Sequence, residues 1–184
     1  LVGGLAVIDA IRALSLREQQ ERIRLKWPND ILLEDDNGEW GKVAGVLLEG
    51  RSMASEIRMT LGIGVNLFSD EPLKRDDFKI ATINQSLNRD IEFSTFSAVI
   101  NASLSSLLEQ KNEIANFPSK KLLQLAMNEI KDTVISLGNP IYREEVCEVV
   151  SLLVNGNLQV RNKSGKMFEL DEGEDLFWPN YSDY

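Results

Sequence analysis

The sequence predicts an α+β protein in which a mixed or antiparallel sheet with packed helices is followed by a small β-barrel. Three observations lead to this prediction. Strand-like segments follow one another over residues 22–67 without helices between them, which is typical of an antiparallel meander. Two longer segments with helical spacing of apolar residues come next, and beyond Gly138 the apolar period changes to two. We therefore expect two domains, at 1–137 and 138–184.

The composition excludes several classes of function. The 184 residues include 20 Lys plus Arg and 29 Asp plus Glu, and the formal net charge of −9 disfavours nonspecific binding to nucleic acid. No histidine is present, so a Ser-His triad and a histidine metal site are excluded. The single cysteine, Cys147, excludes intrachain disulfides and suits the reducing cytoplasm. No run of about 18 apolar residues occurs, so we expect no membrane span.

The amino-terminal part is predicted to form one helix and then four strands. Apolar residues recur at helical spacing over residues 1–19, and because this segment has no polar lead-in we expect further chain before it. The first strand ends at Pro28, which has no amide hydrogen to donate. A turn at 35–38 uses the permissive backbone of Gly38. The predicted strands are 23–27, 30–33, 42–49 and 56–67.

Helices are predicted in the middle of the chain and strands at its end. A short helix near 80–87 precedes two amphipathic helices, 94–111 and 118–137, and the triplet Gly138-Asn139-Pro140 stops the last of them. The barrel strands are then expected at 141–154, 158–161 and 167–170, with hairpin turns at 155–157 and 163–165.

The densest chemical signal is the pentapeptide Lys26-Trp27-Pro28-Asn29-Asp30. One interpretation is an ordinary turn in which Trp27 belongs to the core and Asn29 and Asp30 bond to local backbone. The other is a corner that binds anions and a metal. In that interpretation Asp30 holds Mg²⁺, Asn29 donates to a phosphate and Lys26 adds positive charge. The residues alone leave both interpretations open.

Two later segments offer space beside a strand. Lys42 opens an apolar strand and is either a snorkelling surface lysine or the partner of a ligand's carboxylate or phosphate, which Gly45 would admit close to the backbone. Gly62 and Gly64 alternate on one face of the next strand, without the third glycine and the helix of a dinucleotide-binding fingerprint. The acidic run 171–175 is interpreted as a solvated turn.

In order and spacing, three segments resemble the biotin–protein ligase family, which includes the holocarboxylase synthetases. The matching residues are Lys26-Trp27-Pro28-Asn29-Asp30, Lys42-Val43-Ala44-Gly45-Val46-Leu47-Leu48-Glu49 and Gly62-Ile63-Gly64-Val65-Asn66. The resemblance covers essentially the whole chain. It implies the carboxy-terminal part of a catalytic domain related to class II aminoacyl-tRNA synthetases, followed by an SH3-like domain.

The resemblance implies a two-step reaction. Such ligases join biotin to ATP, giving biotinyl-5′-AMP and pyrophosphate, and then pass biotin to a lysine of a carboxylase's biotin carrier domain. Joining a carboxylate to a phosphate brings together anions that repel, so the site must supply cations and exclude water. The implied cofactors are ATP, biotin and Mg²⁺, and the implied partner is the carrier domain.

The resemblance also gives roles to individual residues. Lys42 matches the lysine that contacts the carboxyl group of biotin and the phosphate. The implied catalytic residues are Lys42, Asp30 and Asn29, with Asp30 as the metal ligand. The implied biotin-binding residues are Lys42, Gly45, Val46, Leu47, Gly62 and Gly64. The implied ATP-binding residues are Lys26, Trp27, Asn29, Asp30, Lys42 and Asn66.

One feature of the family is absent from the sequence, namely the glycine- and arginine-rich loop that closes over biotin and the adenylate. It would lie upstream of the first helix, so we expect this chain to need the missing amino-terminal half, from the same or another chain, for activity. The alternative is an incomplete or non-catalytic biotin-ligase-like subunit. A nucleic-acid module on the terminal barrel is disfavoured, because 138–184 contains only four Lys plus Arg. Family members that dimerise do so through sheet edges, which leaves a homodimer open.

Overall fold

The structure is a computed structural model that describes residues 1–53, 56–70, 79–109, 120–173 and 175–181. An antiparallel sheet with packed helices is followed by a smaller sheet, which confirms the predicted α+β class. The helices are α1 (Val2–Leu14), α2 (Ile83–Leu87), α3 (Phe93–Glu109) and α4 (Lys120–Leu137), with a 3₁₀ helix at Arg17–Arg22. The strands are β1 (Ile23–Lys26), β2 (Asp30–Glu34), β3 (Trp40–Met53), β4 (Glu56–Val65), β5 (Ile141–Tyr142), β6 (Glu145–Leu152), β7 (Leu158–Asn162), β8 (Met167–Leu170) and β9 (Leu176–Phe177).

The first sheet has the order β1-β2-β3-β4, and every neighbouring pair is antiparallel. The predicted meander over residues 22–67 is therefore confirmed. β3 is longer than predicted, because its second half continues to pair with β4 as far as Met53 and Glu56. An isolated parallel bridge between Lys42 and Ile80 brings a distant part of the chain beside β3 and makes the sheet locally mixed.

Helix α1 packs closely on this sheet because two glycines face it. A Cβ atom on Gly3 would lie 2.8 Å from Val46 Cγ1, and one on Gly4 would lie 3.1 Å from Leu25 Cδ1. Separations this short leave no room for a larger side chain, so the pair Gly3-Gly4 sets the distance between α1 and the sheet. The buried face of α1 then completes one side of the core.

The prediction of one helix over residues 1–19 was wrong at its end. Helix α1 stops at Leu14, where Ser15 adopts an extended backbone and its Oγ donates to the carbonyl of Ile11 at 2.6 Å. Serine competes for backbone partners in this way and so favours helix ends. The chain continues in the 3₁₀ helix instead.

The other helices lie close to their predicted positions. Helix α2 begins at Ile83 rather than near residue 80, because the Thr82 Oγ1 accepts a hydrogen bond from the Gln85 amide and caps the helix. Helices α3 and α4 confirm the two predicted amphipathic helices. Residues 110–111 and 118–119, which the predictions included, lie outside the described residues.

The carboxy-terminal strands form an open sheet in the order β8-β7-β6-β5-β9. The predicted small barrel is not closed: in the described part of the chain the outer strands β8 and β9 do not pair, and the arrangement is consistent with a small SH3-like domain. The single strand predicted over 141–154 is in fact β5 and β6. Arg143 and Glu144 separate them in a tight turn, and both have positive φ angles, 50° and 66°.

The core is continuous across the predicted domain boundary. One cluster of buried apolar side chains contains Trp27 from the loop after β1, Leu137 from α4, Cys147 from β6 and Trp178 from directly after β9. The division into domains at 1–137 and 138–184 stays a prediction. Helix α4 does end at Leu137, and Gly138 follows with a φ of 84°, as the stop signal predicts. Among the described helices, none is long and apolar enough to cross a membrane.

Candidate functional site

The loop between β1 and β2 holds the pentapeptide that the sequence singled out. Lys26 and Asp30 are opposite partners at the end of this antiparallel pair, and the Trp27–Pro28 peptide between them is cis. The Trp27 side chain is only 1% exposed, and its Nε1 donates to the carbonyl oxygen of Gly156 at 3.0 Å. Trp27 thus anchors the loop in the core, as the first interpretation held, and its ATP-binding role stays a prediction.

Asp30 lies between two lysine ammonium groups. Its Oδ1 is 2.5 Å from Lys42 Nζ, and its Oδ2 is 3.7 Å from Lys26 Nζ. All three side chains are largely buried, with 15% of Asp30, 19% of Lys26 and 25% of Lys42 exposed. We call these three residues the cationic corner. Two positive charges against one negative charge give it a surplus that suits a carboxylate or a phosphate.

The environment of Lys26 disfavours its charge. Burial lowers the pKa of Lys26, although the nearby Asp30 carboxylate partly opposes this effect and Lys42 adds to it. A buried ammonium beside a second ammonium gains more from an anionic ligand than an exposed one does, because little solvent screens the interaction. The electrostatics therefore favour the anion-binding interpretation of the pentapeptide.

A β-bulge brings Lys42 to the corner. The pairing with β2 passes directly from Ala44 to Lys42, so that Val43 is an extra residue on β3. Because of this extra residue, Lys42 and Gly45 face the same side of the sheet although they are three residues apart. The side chains between them, Val43 and Ala44, are both buried. A Cβ on Gly45 would lie 3.3 Å from Lys42 Cε and 3.7 Å from Asp30 Oδ1. Bulges commonly redirect side chains beside functional sites.

Glycines leave one face of the β3–β4 pair almost bare beside the corner. Gly45 lies opposite Gly64, and Leu47 lies opposite Gly62, so these four positions share that face. A Cβ on Gly62 would meet nothing closer than the Leu47 carbonyl at 3.7 Å, and one on Gly64 nothing closer than the Gly45 carbonyl at 3.8 Å. Among the described residues, therefore, no side chain fills the predicted space beside Gly62 and Gly64. Val46 points the other way and is buried, so only its backbone borders this space.

The two candidate asparagines hold the backbone around the corner. Asn29 Nδ2 donates to the Val46 carbonyl at 3.0 Å, and the Val46 amide donates back to the Asn29 carbonyl at 3.0 Å. Asn66 Nδ2 donates to the carbonyl of Lys42 at 3.3 Å. Asn29 thus bonds to backbone, as the first interpretation held, but to a strand 17 residues away rather than to its own turn. Direct contact of either asparagine with a nucleotide stays a prediction.

Sequence reasoning missed the contribution of Lys79 and Ala81. The Lys42 amide donates to the Lys79 carbonyl at 2.9 Å, and the Ala81 amide donates to the Lys42 carbonyl at 3.0 Å. The backbone of Lys42 is thus held by a segment nearly forty residues away in the chain. No residue pattern signals this contact, because it uses only main-chain atoms.

Comparisons with known proteins bear on this fold and site. No family model matches the chain. A biotin–[acetyl-CoA-carboxylase] ligase of Paracoccus denitrificans is 43% identical over 67 residues, which are 36% of this chain and 25% of that protein. The crystal structure of a biotin protein ligase from Aquifex aeolicus superposes with a TM-score of 0.69 at 21% identity, covering 96% of this chain and 73% of the other. The same ligase in complex with biotin and ATP gives a TM-score of 0.61 at 20% identity, with 96% and 70% covered.

A small antiparallel sheet with packed helices, a glycine-lined face and a cationic corner define an α+β protein with a candidate anion-binding site. The comparisons narrow this class: the chain has the fold of the biotin protein ligases, and the resemblance drawn from its three motifs is confirmed. The aligned segment spans only a quarter of the curated relative from Paracoccus denitrificans.

Proposed function

We propose that this chain takes part in the ATP-dependent activation of biotin as biotinyl-5′-AMP and in the transfer of biotin to a lysine of a carboxylase's biotin carrier domain. The observation that carries the proposal is the cationic corner at the end of the glycine-lined face. The small side of the strand pair at Gly45, Gly62 and Gly64 would leave room for an apolar ligand, and Lys42 beside it would meet the charged end of that ligand. The Aquifex aeolicus relative is known in complex with biotin and ATP.

In the first step the biotin carboxylate attacks the α-phosphorus of ATP, an acyl–phosphate bond forms, and pyrophosphate leaves. Lys42 would stabilise the carboxylate and the phosphoryl oxygens together, since both carry negative charge during the attack. Lys26 would add charge at the nucleotide side of the corner. Asp30 would hold both ammonium groups in place before the ligands arrive. Asn29 and Asn66 would fix the backbone of the strand that carries Lys42.

The proposal includes Mg²⁺ as an ion that enters with ATP. In the described part of the chain no group of three or more His, Cys, Asp or Glu side chains forms a metal site, and both oxygens of Asp30 face lysines. Mg²⁺ is commonly bound by one or two carboxylates together with substrate phosphates, and Asp30 fits that minimal role. When bound, the ion would offset negative charge on the departing pyrophosphate.

In the second step the amine of the carrier lysine attacks the acyl carbon of biotinyl-5′-AMP, and AMP leaves. No protein nucleophile or histidine base is needed, because the adenylate is already activated and positioning supplies much of the rate. We propose that a glycine- and arginine-rich loop, which the given sequence does not contain, closes over the adenylate from another segment or chain. We propose the cytoplasm as the compartment, since the only cysteine is a free thiol.

Substitution of Lys42 tests the proposal. We expect Lys42→Ala to lower biotin-dependent ATP–pyrophosphate exchange by about 100-fold or more, because it removes a cation from the reacting centre. Lys163→Ala, which removes an exposed lysine from the second sheet, is the matched control and should leave exchange unchanged. Circular dichroism would show that both variants remain folded.

The assay is run with the chain alone and with an upstream segment of a biotin protein ligase added. Exchange that persists in Lys42→Ala would remove Lys42 from the mechanism. If neither preparation catalyses exchange but calorimetry still detects biotin binding, the non-catalytic subunit is the correct alternative. If neither exchange nor binding is detected, the ligase proposal is wrong.

A further inference from the structure

An aromatic side chain from the carboxy-terminal segment covers the cationic corner. The ring centroid of Tyr181 lies 5.7 Å from the ammonium of Lys26. A cation over the face of an aromatic ring is attracted by the ring's electrons, and the ring also shields it from water. Tyr181 is half-buried and packs against the main core, so its ring has a fixed place.

The hydroxyl of the same residue reaches the backbone that holds Lys42. Tyr181 Oη donates to the carbonyl oxygen of Lys79 at 3.3 Å. That carbonyl also accepts the hydrogen bond from the Lys42 amide at 2.9 Å. One tyrosine therefore contacts the side chain of one lysine of the corner and, through a shared carbonyl, the backbone of the other.

Two further contacts show that the second sheet packs tightly on this loop. A Cβ on Gly173 would lie 2.5 Å from Pro28 Cδ and 3.2 Å from the Trp27 carbonyl oxygen, so the two backbones approach too closely for any other residue at 173. The Trp27 indole donates to the Gly156 carbonyl. Tyr181 thus belongs to a close fit between the carboxy-terminal segment and the pentapeptide, rather than to an incidental surface contact.

We infer that Tyr181 is a positioning residue for the cationic corner: its ring holds and shields the Lys26 ammonium, and its hydroxyl steadies the strand backbone at Lys42 through Lys79. A role of Tyr181 in ligand binding rests on the proposed function, whereas the positioning of the two lysines by Tyr181 is a property of the folded chain alone. The two can therefore be tested separately.

Two variants of the full chain distinguish the contribution of the Tyr181 ring from that of its hydroxyl. Amine acetylation of Lys26, followed by mass spectrometry, reports on the ring, and hydrogen exchange of the Lys42 amide reports on the hydroxyl. We expect Tyr181→Leu to speed the acetylation of Lys26 about two- to fivefold, the factor that corresponds to an exposed cation–π contact, and also to speed exchange at Lys42. Tyr181→Phe keeps the ring, so only the exchange at Lys42 should become faster.

Tyr142→Leu is the matched control. Tyr142 lies on β5 of the second sheet, where its ring lies edge-on to Phe168 with 5.3 Å between the centroids. This variant should alter neither observable. Equal changes in Tyr142→Leu and Tyr181→Leu, or unchanged Lys26 acetylation in Tyr181→Leu, would overturn the inference.

Binding of ATP extends the test to function. If the proposed function holds, Tyr181→Leu should weaken ATP binding about two- to fivefold, in line with the lost contact to Lys26, and Tyr181→Phe should restore affinity to that of the original chain. Absence of ATP binding in the original chain would count against the proposed function, while the acetylation and exchange results would still decide the role of Tyr181.

Discussion

Asp30 sets the charge balance of the candidate site. Two lysines that approached each other without a carboxylate between them would repel, and burial would strengthen that repulsion. Asp30 accepts both, with its closer contact to Lys42. Under the proposed function, Asp30 would hold the two cations in place for an anionic ligand, and it would reach the ligand itself only through a metal ion that accompanies the phosphate.

At Lys26 the positive charge lowers stability, which gives a prediction with a pH dependence. Because burial lowers the pKa of Lys26 below its usual value of 10.5, the folded state binds fewer protons than the unfolded state between the lowered pKa and 10.5. The contribution of Lys26 to the free energy of unfolding therefore rises with pH between the lowered pKa and 10.5. Below the lowered pKa the lysine is charged in both states, and the folded state bears the full cost of burying that charge.

We expect Lys26→Met to raise the free energy of unfolding at pH 7, with a gain that shrinks as the pH approaches 10.5. Urea denaturation of Lys26→Met and of the original chain at pH 7 and pH 10 measures this gain. Subtracting the two free energies of unfolding at each pH cancels the contributions of the other titrating groups. Lys163→Met, at an exposed position, is the control and should show little change at either pH. A Lys26→Met variant that is less stable at pH 7 than the original chain would show that attraction to Asp30 outweighs burial.

Among the elements, β3 does most to build the site. It carries the bulge at Val43 that turns Lys42 toward Asp30, and it contains Gly45, which has no side chain to fill the site. Its backbone at Val46 also forms the hydrogen bonds to Asn29. The Lys42–Gly45 part of β3 is held on both edges, because β2 pairs with one edge and the other is bonded by residues 79–81 at Lys42 and by β4 from Ala44 onward. An element held on both sides is a rigid base for groups that must stay in place during a reaction.

Helices α1 and α4 are joined by an ion pair that gives a second prediction. Arg12 donates to Glu129 through both terminal nitrogens, at 2.6 and 3.0 Å, and the Glu129 side chain is 11% exposed. We expect Arg12→Met to lower the free energy of unfolding by about 2 kcal/mol, because it leaves a nearly buried carboxylate without its partner. Urea denaturation at pH 7 measures this.

The double variant Arg12→Met with Glu129→Leu should recover most of that loss, since two apolar side chains leave no unpaired charge. A double variant as unstable as the single one would mean that packing, and not the unpaired carboxylate, explains the effect. Neither residue of the pair belongs to the cationic corner, so ligand binding should be similar in all three proteins.

At the scale of the whole molecule, the shared core predicts that the two parts unfold together. Trp27 lies in the first part, yet its buried surroundings include side chains beyond Gly138, and its indole bonds to Gly156. We expect urea unfolding followed by tryptophan fluorescence and by far-ultraviolet circular dichroism to give coincident single transitions.

A chain cut after Leu137 tests the same point. Without the second sheet, Trp27 and Leu137 would be exposed, so the fragment should lack a cooperative transition. Two separate transitions in the intact chain, or a fragment that unfolds as cooperatively as the intact protein, would establish independent domains instead. The predicted boundary at 138 would then mark a folding unit as well as a change in residue pattern.

Much of the fold could be predicted because local patterns are strong in this chain. The alternation from Ile23 onward, the helical spacing on α3 and α4 and the stop at Gly138 each reflect interactions within a few residues. The end of α1 and the split between β5 and β6 were predicted wrongly, and the second sheet is open rather than closed. These features depend on a side-chain bond at Ser15, on two positive φ angles without glycine, and on strand pairing between distant segments.

The sequence by itself determined the order of the elements, the chemical types available in the pentapeptide and the glycines that leave a bare face, since these depend on residue type and spacing. Only the tertiary structure decided that Lys26 and Lys42 share Asp30, that the bulge at Val43 turns Lys42 to the glycine face, and that Tyr181 closes over the corner. Such contacts join segments far apart in the chain. Their geometry depends on strand register and core packing, which no local pattern encodes.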